Sequence, residues 1–213
     1  MEFVFVVPRE LVLPSFYPHG LVAFGDEDGE IRHESFARAV REHGFFCERA
    51  YAEHAPHLKQ IIPYGVVVSG GDVLLLKRLS KGGEKRLHDK LSIGVGGHIN
   101  PCDDAAGRDG LLDAATQREL AEELAFDHIA SVRSVGILND DSNPVGAVHL
   151  GLVQVVHIDG PVSIRETDQL EGELVSPSQL RSRLAEGADF ETWSSLLVPE
   201  LEAFLPQTSA TLL

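Results

Sequence analysis

The first half of the chain alternates short apolar runs with turn residues. Glu2 to Val7 is a β-rich apolar run ended by Pro8, and Leu11 to Leu13 a second one ended by Pro14, so both read as short strands. Asp26 to Gly29 reads as a turn. Glu34 to His43, with Phe36, Ala37, Ala39 and Val40 ahead of Gly44, predicts a short helix with a glycine stop. Ile61 to Val68 and Val73 to Lys77, joined by Ser69-Gly70-Gly71-Asp72, predict a β-hairpin. Leu91 to Gly97 is a strand with a glycine end. Val132 to Leu138 and Val145 to Ile158 predict a second hairpin around Asn139 to Pro144, with His149 half-buried in its strand and Asp140 and Asp141 as turn residues or pocket-rim acids. Ser176-Pro177-Ser178-Gln179 carries an N-cap, a first-position proline and a capping box, and Gly187 ends that helix. Phe190 to Phe204 reads as a last amphipathic helix interrupted at Pro199.

Between the hairpins lies Arg118 to Phe126, Arg-Glu-Leu-Ala-Glu-Glu-Leu-Ala-Phe, which has no Gly or Pro and predicts a helix. At roughly 100° per residue, Glu119, Glu122 and Glu123 share one face and Leu120, Ala121 and Leu124 the other. Carboxylates three and four positions apart repel by a few tenths of a kcal/mol, roughly, which a hard divalent cation would offset. A solvated acidic face is the other reading of the same pattern.

These residues resemble the signature of the Nudix hydrolases: a glycine, five residues, a glutamate, seven residues, then Arg-Glu-apolar-x-Glu-Glu-x-Gly-apolar. Gly97 matches the glycine, and Arg118, Glu119, Leu120, Glu122, Glu123 and Phe126 match the second half. Ala125 stands where the family has glycine. The spacing from Gly97 to Arg118 is 21 positions rather than 14, so seven residues are inserted, and counting back from Arg118 puts Gly110 at the glutamate's place. Asp103, Asp104 and Asp109 of the intervening loop could supply a carboxylate instead. The resemblance covers Gln60 to Phe204.

It implies an α/β fold, an α/β/α sandwich with a mixed sheet, and a hydrolase cleaving the phosphoanhydride of a nucleoside diphosphate linked to another group. Mg²⁺ or Mn²⁺ is implied as cofactor, held by Glu119, Glu122, Glu123 and the carbonyl of Gly96. Arg118 is implied to orient Glu119, and the base to be Glu119 or a late-loop acid, for which Glu166, Asp168, Glu171 and Glu173 are the candidates. Lys77 or Arg78 would hold phosphate. The alternative is a non-catalytic module of the same fold that binds a nucleotide or a partner, which the glycine at 110 favours.

Composition narrows the partners. The 213 residues are 43% hydrophobic and carry a formal charge of −15, enough for a real core and unsuited to a nucleic-acid backbone. A small anionic substrate therefore needs a metal or a local basic patch. Lys77, Arg78, Lys81, Lys85, Arg86 and Lys90, opposed only by Glu84 and Asp89, form such a patch next to the glycine strand. Cys47 and Cys102 match no metal or redox spacing and read as reduced thiols, and His54 and His57, separated by Pro56, complete no metal set. The N-terminus lacks a secretory pattern and no apolar run spans a membrane, so a cytoplasmic protein is expected, with a homodimer left open. The chain divides into an extension packed on the core (1–59), a Nudix domain (60–206) and a flexible tail (207–213).

Overall fold

Each apolar run becomes a strand or helix because it finds a surface to bury against. The structure, a computed structural model, describes residues 1–13, 17–25, 31–79, 89–165 and 167–205. In chain order the elements are β1 (Phe3–Pro8), α1 (Arg9–Val12), β2 (Gly20–Ala23), α2 (His33–His43), β3 (Phe45–Glu48), α3 (Arg49–Ala52), β4 (Leu58–Ser69) and β5 (Asp72–Arg78). There follow β6 (Leu91–Ser92), β7 (Gly94–Gly96), a 3₁₀ turn at Pro101–Ala106, α4 (Leu111–Glu123), β8 (Leu124–Asn139), a 3₁₀ turn at Gly146–Val148, β9 (His149–Ile164) and β10 (Leu170–Val175). The chain closes with α5 (Pro177–Ala185), α6 (Thr192–Leu197), a 3₁₀ turn at Val198–Glu200 and α7 (Leu201–Phe204). The chain is thus mixed α/β, as expected. The turn at Asp26–Gly29, the basic residues Lys81, Lys85 and Arg86, and the tail 207–213 lie outside the described residues.

The chain forms two compact units. The first comprises Met1–Gly65, Val95–Glu122 and Ser134–Gln154. Here β1 pairs antiparallel with β3 on one side and with the start of β4 on the other, with Val6 opposite Gln60, while β2 pairs with the end of β8. Phe5 and Val7 point into a core with Phe36, Val40, Ile61, Ile99, Leu111 and Leu152, whereas Val4 and Val6 point into a second with Ala52, Ala55 and Leu58. Burial on both faces explains why this segment reads as an uninterrupted apolar run rather than an alternating one.

The second unit comprises Val66–Gly94, Glu123–Arg133 and Val155–Leu213. In it β5 pairs with β10 from Val73–Val175 to Arg78–Leu170, with β6 at Leu76–Ser92, and with the end of β4 through a turn whose Gly70 and Gly71 take φ of +60° and +92°. That left-handed pair is what Gly-Gly supplies to a two-residue hairpin. Ser176 caps α5, accepting from the Gln179 amide at 3.3 Å while Gln179 accepts from the Ser176 amide at 3.1 Å.

Four boundaries differ from expectation. Leu11 to Leu13 is not a strand: Arg9 to Val12 make one helical turn closed by the Leu13 amide on the Arg9 carbonyl at 2.9 Å. The acidic helix begins at Leu111, seven residues before Arg118, since nothing after Gly110 interrupts it. It ends at Glu123 because arginine takes its last carbonyls: the Arg165 amide bonds Glu123 O at 2.8 Å and its Nε bonds Leu124 O at 3.1 Å. Leu124, Ala125 and Phe126 therefore open β8, and Ala125 needs no left-handed turn. Finally, β9 starts at His149 rather than Val145, because the Asn143 side chain accepts from the amides of Val145 and Gly146 and turns the backbone there.

Candidate active site

In the first unit α4 aims Arg118 at a shell of acceptors. Nε bonds Asp103 Oδ1 at 2.8 Å and Nη2 bonds Asp103 Oδ2 at 2.9 Å, a bidentate pair. Nη2 also bonds the His98 carbonyl at 2.9 Å, and Nη1 bonds Glu119 Oε1 at 2.8 Å and approaches Glu122 at 3.3 Å. The bond to Asp103 raises the affinity of the Arg118 guanidinium for its proton well beyond its ordinary value, against the opposing effect of burial. Arg118 is therefore a fixed cation. Asp103 is only 4% exposed and is itself held by the Asn100 amide at 2.8 Å.

This geometry corrects the register of the insertion. Gly110 does not stand at the place of the box glutamate: its carbonyl accepts from the Ala114 amide at 2.9 Å, so it starts α4. Eight positions along one helix separate it from Arg118 by about 12 Å. Counted forward from Gly97, the sixth position is Asp103, where the pattern has its glutamate. The extra seven residues thus lie between Asp103 and Arg118. A forward count from the glycine would have found it; the backward count ran through the insertion.

The glycine pair is required by close approach. A Cβ at Gly97 would lie 2.6 Å from the carboxyl carbon of Glu119, and one at Gly96 would overlap the carbonyl of Pro63. The Glu119 carboxylate thus rests on bare backbone. Burial pushes its pKa up, and Glu122 and Asp103 add to the rise, with Arg118 pulling the other way; the net is raised. Carboxylate oxygens such as those of Glu119 and Glu122 are the donors that a hard cation such as Mg²⁺ or Mn²⁺ takes. Among the described residues no group of three or more His, Cys, Asp or Glu is arranged to hold a metal, and Arg118 bonds Glu119 and approaches Glu122.

The second unit holds the remaining candidates. Glu123, the last residue of α4, lies 3.6 Å from Arg78, and Lys77 lies 3.5 Å from Asp89. Glu171 sits opposite Lys77 across β10 and β5, and both line a groove of about 220 Å³ with Glu173, Gly172, Leu75, Leu76 and Leu91. Glu173 also pairs with Arg183 at 2.6 Å. Asp168 is exposed in the turn before β10, and Glu166 lies outside the described residues.

The sequence singled out neither Lys59 nor His98, and gave His149 no role beyond a half-buried strand position. Lys59 is fully buried in the first unit, donating to Asp141 Oδ1 at 2.8 Å and to the carbonyls of Gly146 and His149 at 3.1 and 3.2 Å. Burial lowers its pKa, only partly countered by Asp141. Asp141 feels burial as a rise, but the bond and charge of Lys59 and the charge of Arg9 outweigh it and the net is lowered. His149 places Nδ1 2.7 Å from the Val145 carbonyl and Nε2 3.1 Å from Nε2 of His98. Asp140 makes the expected Asx turn, accepting from the Ser142 amide at 3.0 Å, whereas Asp141 is an ion-pair partner.

Comparison with known proteins places this arrangement. No family model matches the chain. Protein YmaB of Bacillus subtilis (strain 168) is 36% identical over 212 residues, covering 94% of this chain and 98% of that protein, so the two belong to one family. The crystal structure of Tm1382, placed among the Nudix hydrolases by inference, matches with a TM-score of 0.79 at 28% identity over 96% of this chain and 100% of its own. The Nudix domain of Shewanella oneidensis NrtR, solved with ADP ribose, matches with a TM-score of 0.51 at 12% identity over 68% of this chain and 87% of its own, a likeness of fold. With its box arginine, glutamates and glycine assembled as described and with Tm1382 as structural counterpart along its length, the chain belongs to the Nudix hydrolase family.

Proposed function

We propose that the chain cleaves the phosphoanhydride of a nucleoside diphosphate linked to another group, with Mg²⁺ or Mn²⁺ held by Glu119, Glu122, Glu123 and the Gly96 carbonyl. As a Nudix hydrolase it is an enzyme acting on pyrophosphate-containing substrates, in a family that generally uses divalent metals. The observation that carries the finer reading is the Arg118 cluster, in which one permanently charged guanidinium holds Asp103 with two hydrogen bonds and Glu119 with a third. Such a cation keeps Glu119 oriented whether or not a metal is bound.

The metal would screen the diphosphate and activate water for attack on phosphorus. Glu119, with its raised pKa, lies closer to the range where a carboxylate can take a proton from that water, and Asp168, Glu171 and Glu173 are the described alternatives from the late loop. Lys77 or Arg78 would hold phosphate. The alternative of a non-catalytic module drew on glycine at 110, and the enzyme reading is supported by Asp103, six positions after Gly97 and bonded twice to Arg118. The division into an extension at 1–59 and a Nudix domain at 60–206 is proposed as the reach of the family pattern, with 1–59 packed on the core and integral to the first unit.

The test is a panel of nucleoside diphosphate derivatives with Mg²⁺ or Mn²⁺, assayed for released monophosphate or phosphate. Turnover of at least one derivative by wild type, lost in Glu122→Gln together with calorimetric metal binding, is the expected result. Wild-type metal affinity in Glu122→Gln and in Glu123→Gln would remove the proposed ligand set.

A further inference from the structure

We infer that His149 is a positioning residue that acts through His98 on the box arginine. The inference rests on Glu119 as the site carboxylate and adds what holds it in place. Lys59, buried and donating to the His149 carbonyl, anchors the backbone at the start of β9. The ring of His149 meets a carbonyl at one end, Val145 O at 2.7 Å from Nδ1. A carbonyl only accepts, so Nδ1 carries the hydrogen and, in the neutral ring, Nε2 of His149 carries the lone pair.

That choice fixes the next one. The Nε2 atoms of His149 and His98 lie 3.1 Å apart, so His98 donates from Nε2 and, as a neutral ring, carries its own lone pair on Nδ1. The rings meet nearly end to end, with centroids 5.3 Å apart, as one hydrogen bond between them requires. His98 follows Gly97 directly, and its carbonyl accepts from Arg118 Nη2 at 2.9 Å. Arg118 then holds Glu119. The carbonyl of His98 is thus located from both ends, by Arg118 on the backbone and by His149 on the side chain. Asp103, Glu119 and Glu122 act on Arg118 directly, and His149 reaches it through His98.

The relay makes a prediction in the wild-type protein. Long-range ¹⁵N correlation spectra of the neutral imidazoles should show His149 as the Nδ1–H tautomer and His98 as the Nε2–H tautomer. The reverse tautomer at either ring overturns the relay. In His149→Leu the Arg118 Nε–H resonance should move or broaden, and metal affinity measured by calorimetry should fall by about tenfold or more, the usual cost of removing a group that orients a ligand. His149→Gln, whose amide oxygen can accept from His98, should restore most of both. A folded Leu variant with the wild-type Arg118 resonance and metal titration overturns the proposal, as does a Gln variant no better than Leu. Because the tautomers and the arginine signal are read without substrate or metal, absence of turnover on every derivative would count against the proposed substrate and leave this inference to its own spectra.

Discussion

At the scale of single residues, Asp103 holds Arg118 in place. Its two bonds to Arg118 are nearly dry, and removing one partner of such a pair costs about 3 kcal/mol, less what solvent at the arginine returns. Asp103→Asn should therefore lower the unfolding free energy by about 2–3 kcal/mol and raise the metal concentration needed for activity. Asp109→Asn, at an 86% exposed side chain, should do neither. Gly110→Glu should leave the metal titration unchanged, since the new carboxylate would start the helix about 12 Å from Arg118. A lowered metal requirement in Gly110→Glu would restore the backward alignment. The glycines make a paired prediction: Gly97→Ala presses on a side chain that can swing away and should weaken metal binding with a loss of about 1–3 kcal/mol, whereas Gly96→Ala meets the Pro63 backbone and should not fold. Soluble, folded Gly96→Ala would contradict that reading.

At the scale of elements, α4 carries its acids at a cost that depends on pH. Glu119 has a raised pKa in the folded chain, so the folded state holds its proton more tightly than the unfolded state. Stability is then undiminished below the ordinary carboxylate value and is lost as pH climbs from there through the raised one. Glu119→Gln removes the titration. Without metal, the difference in Tm between the variant and wild type should move in the variant's favour from about pH 4 to about pH 7. A constant difference across that range would show that Glu119 is not strained by ionisation. Asp141 has the opposite sign, its lowered pKa giving stability above the ordinary value that disappears as pH falls through the lowered one.

At the scale of the molecule, the N-terminal segment is a central part of the first unit. Val4 to Val7 are buried to within 1% of complete, on two faces, and each contributes about 1.5–3 kcal/mol. Together they approach the roughly 5–15 kcal/mol that a whole domain has. Residues 60–206 expressed without 1–59 should therefore fail to fold, seen as loss of a cooperative melt by circular dichroism; a cooperative melt would show that the extension is dispensable. The box insertion belongs to the same packing. Arg108 stacks over Phe5 and Phe46 at 5.0 and 5.5 Å, and Arg41 meets Asp109 at 3.3 Å, so the two departures from the family pattern hold each other.

The sequence by itself determined the elements whose cause is local: the Gly70-Gly71 turn, the Ser176 cap and the break at Pro199 all follow from backbone preferences within a few residues, whereas Gly44, at an ordinary φ of −74°, is glycine because a Cβ there would meet the ring of Phe5. It also determined the family, because Arg118, Glu119, Glu122 and Glu123 are contiguous on one helix and need no knowledge of the fold to be recognised. Tertiary structure decided what depends on partners far along the chain. The end of α4 was set by Arg165, the burial of β1 by strands and helices on both sides, and the pairing of Arg118 by Asp103, which lies ahead of the inserted residues. Lys59, His98 and His149 belong to the same class: each is an ordinary residue in its own neighbourhood, and they become a set only when β4, the glycine strand end and β9 bring hydrogen-bond donors to acceptors that the sequence separates by up to 90 positions.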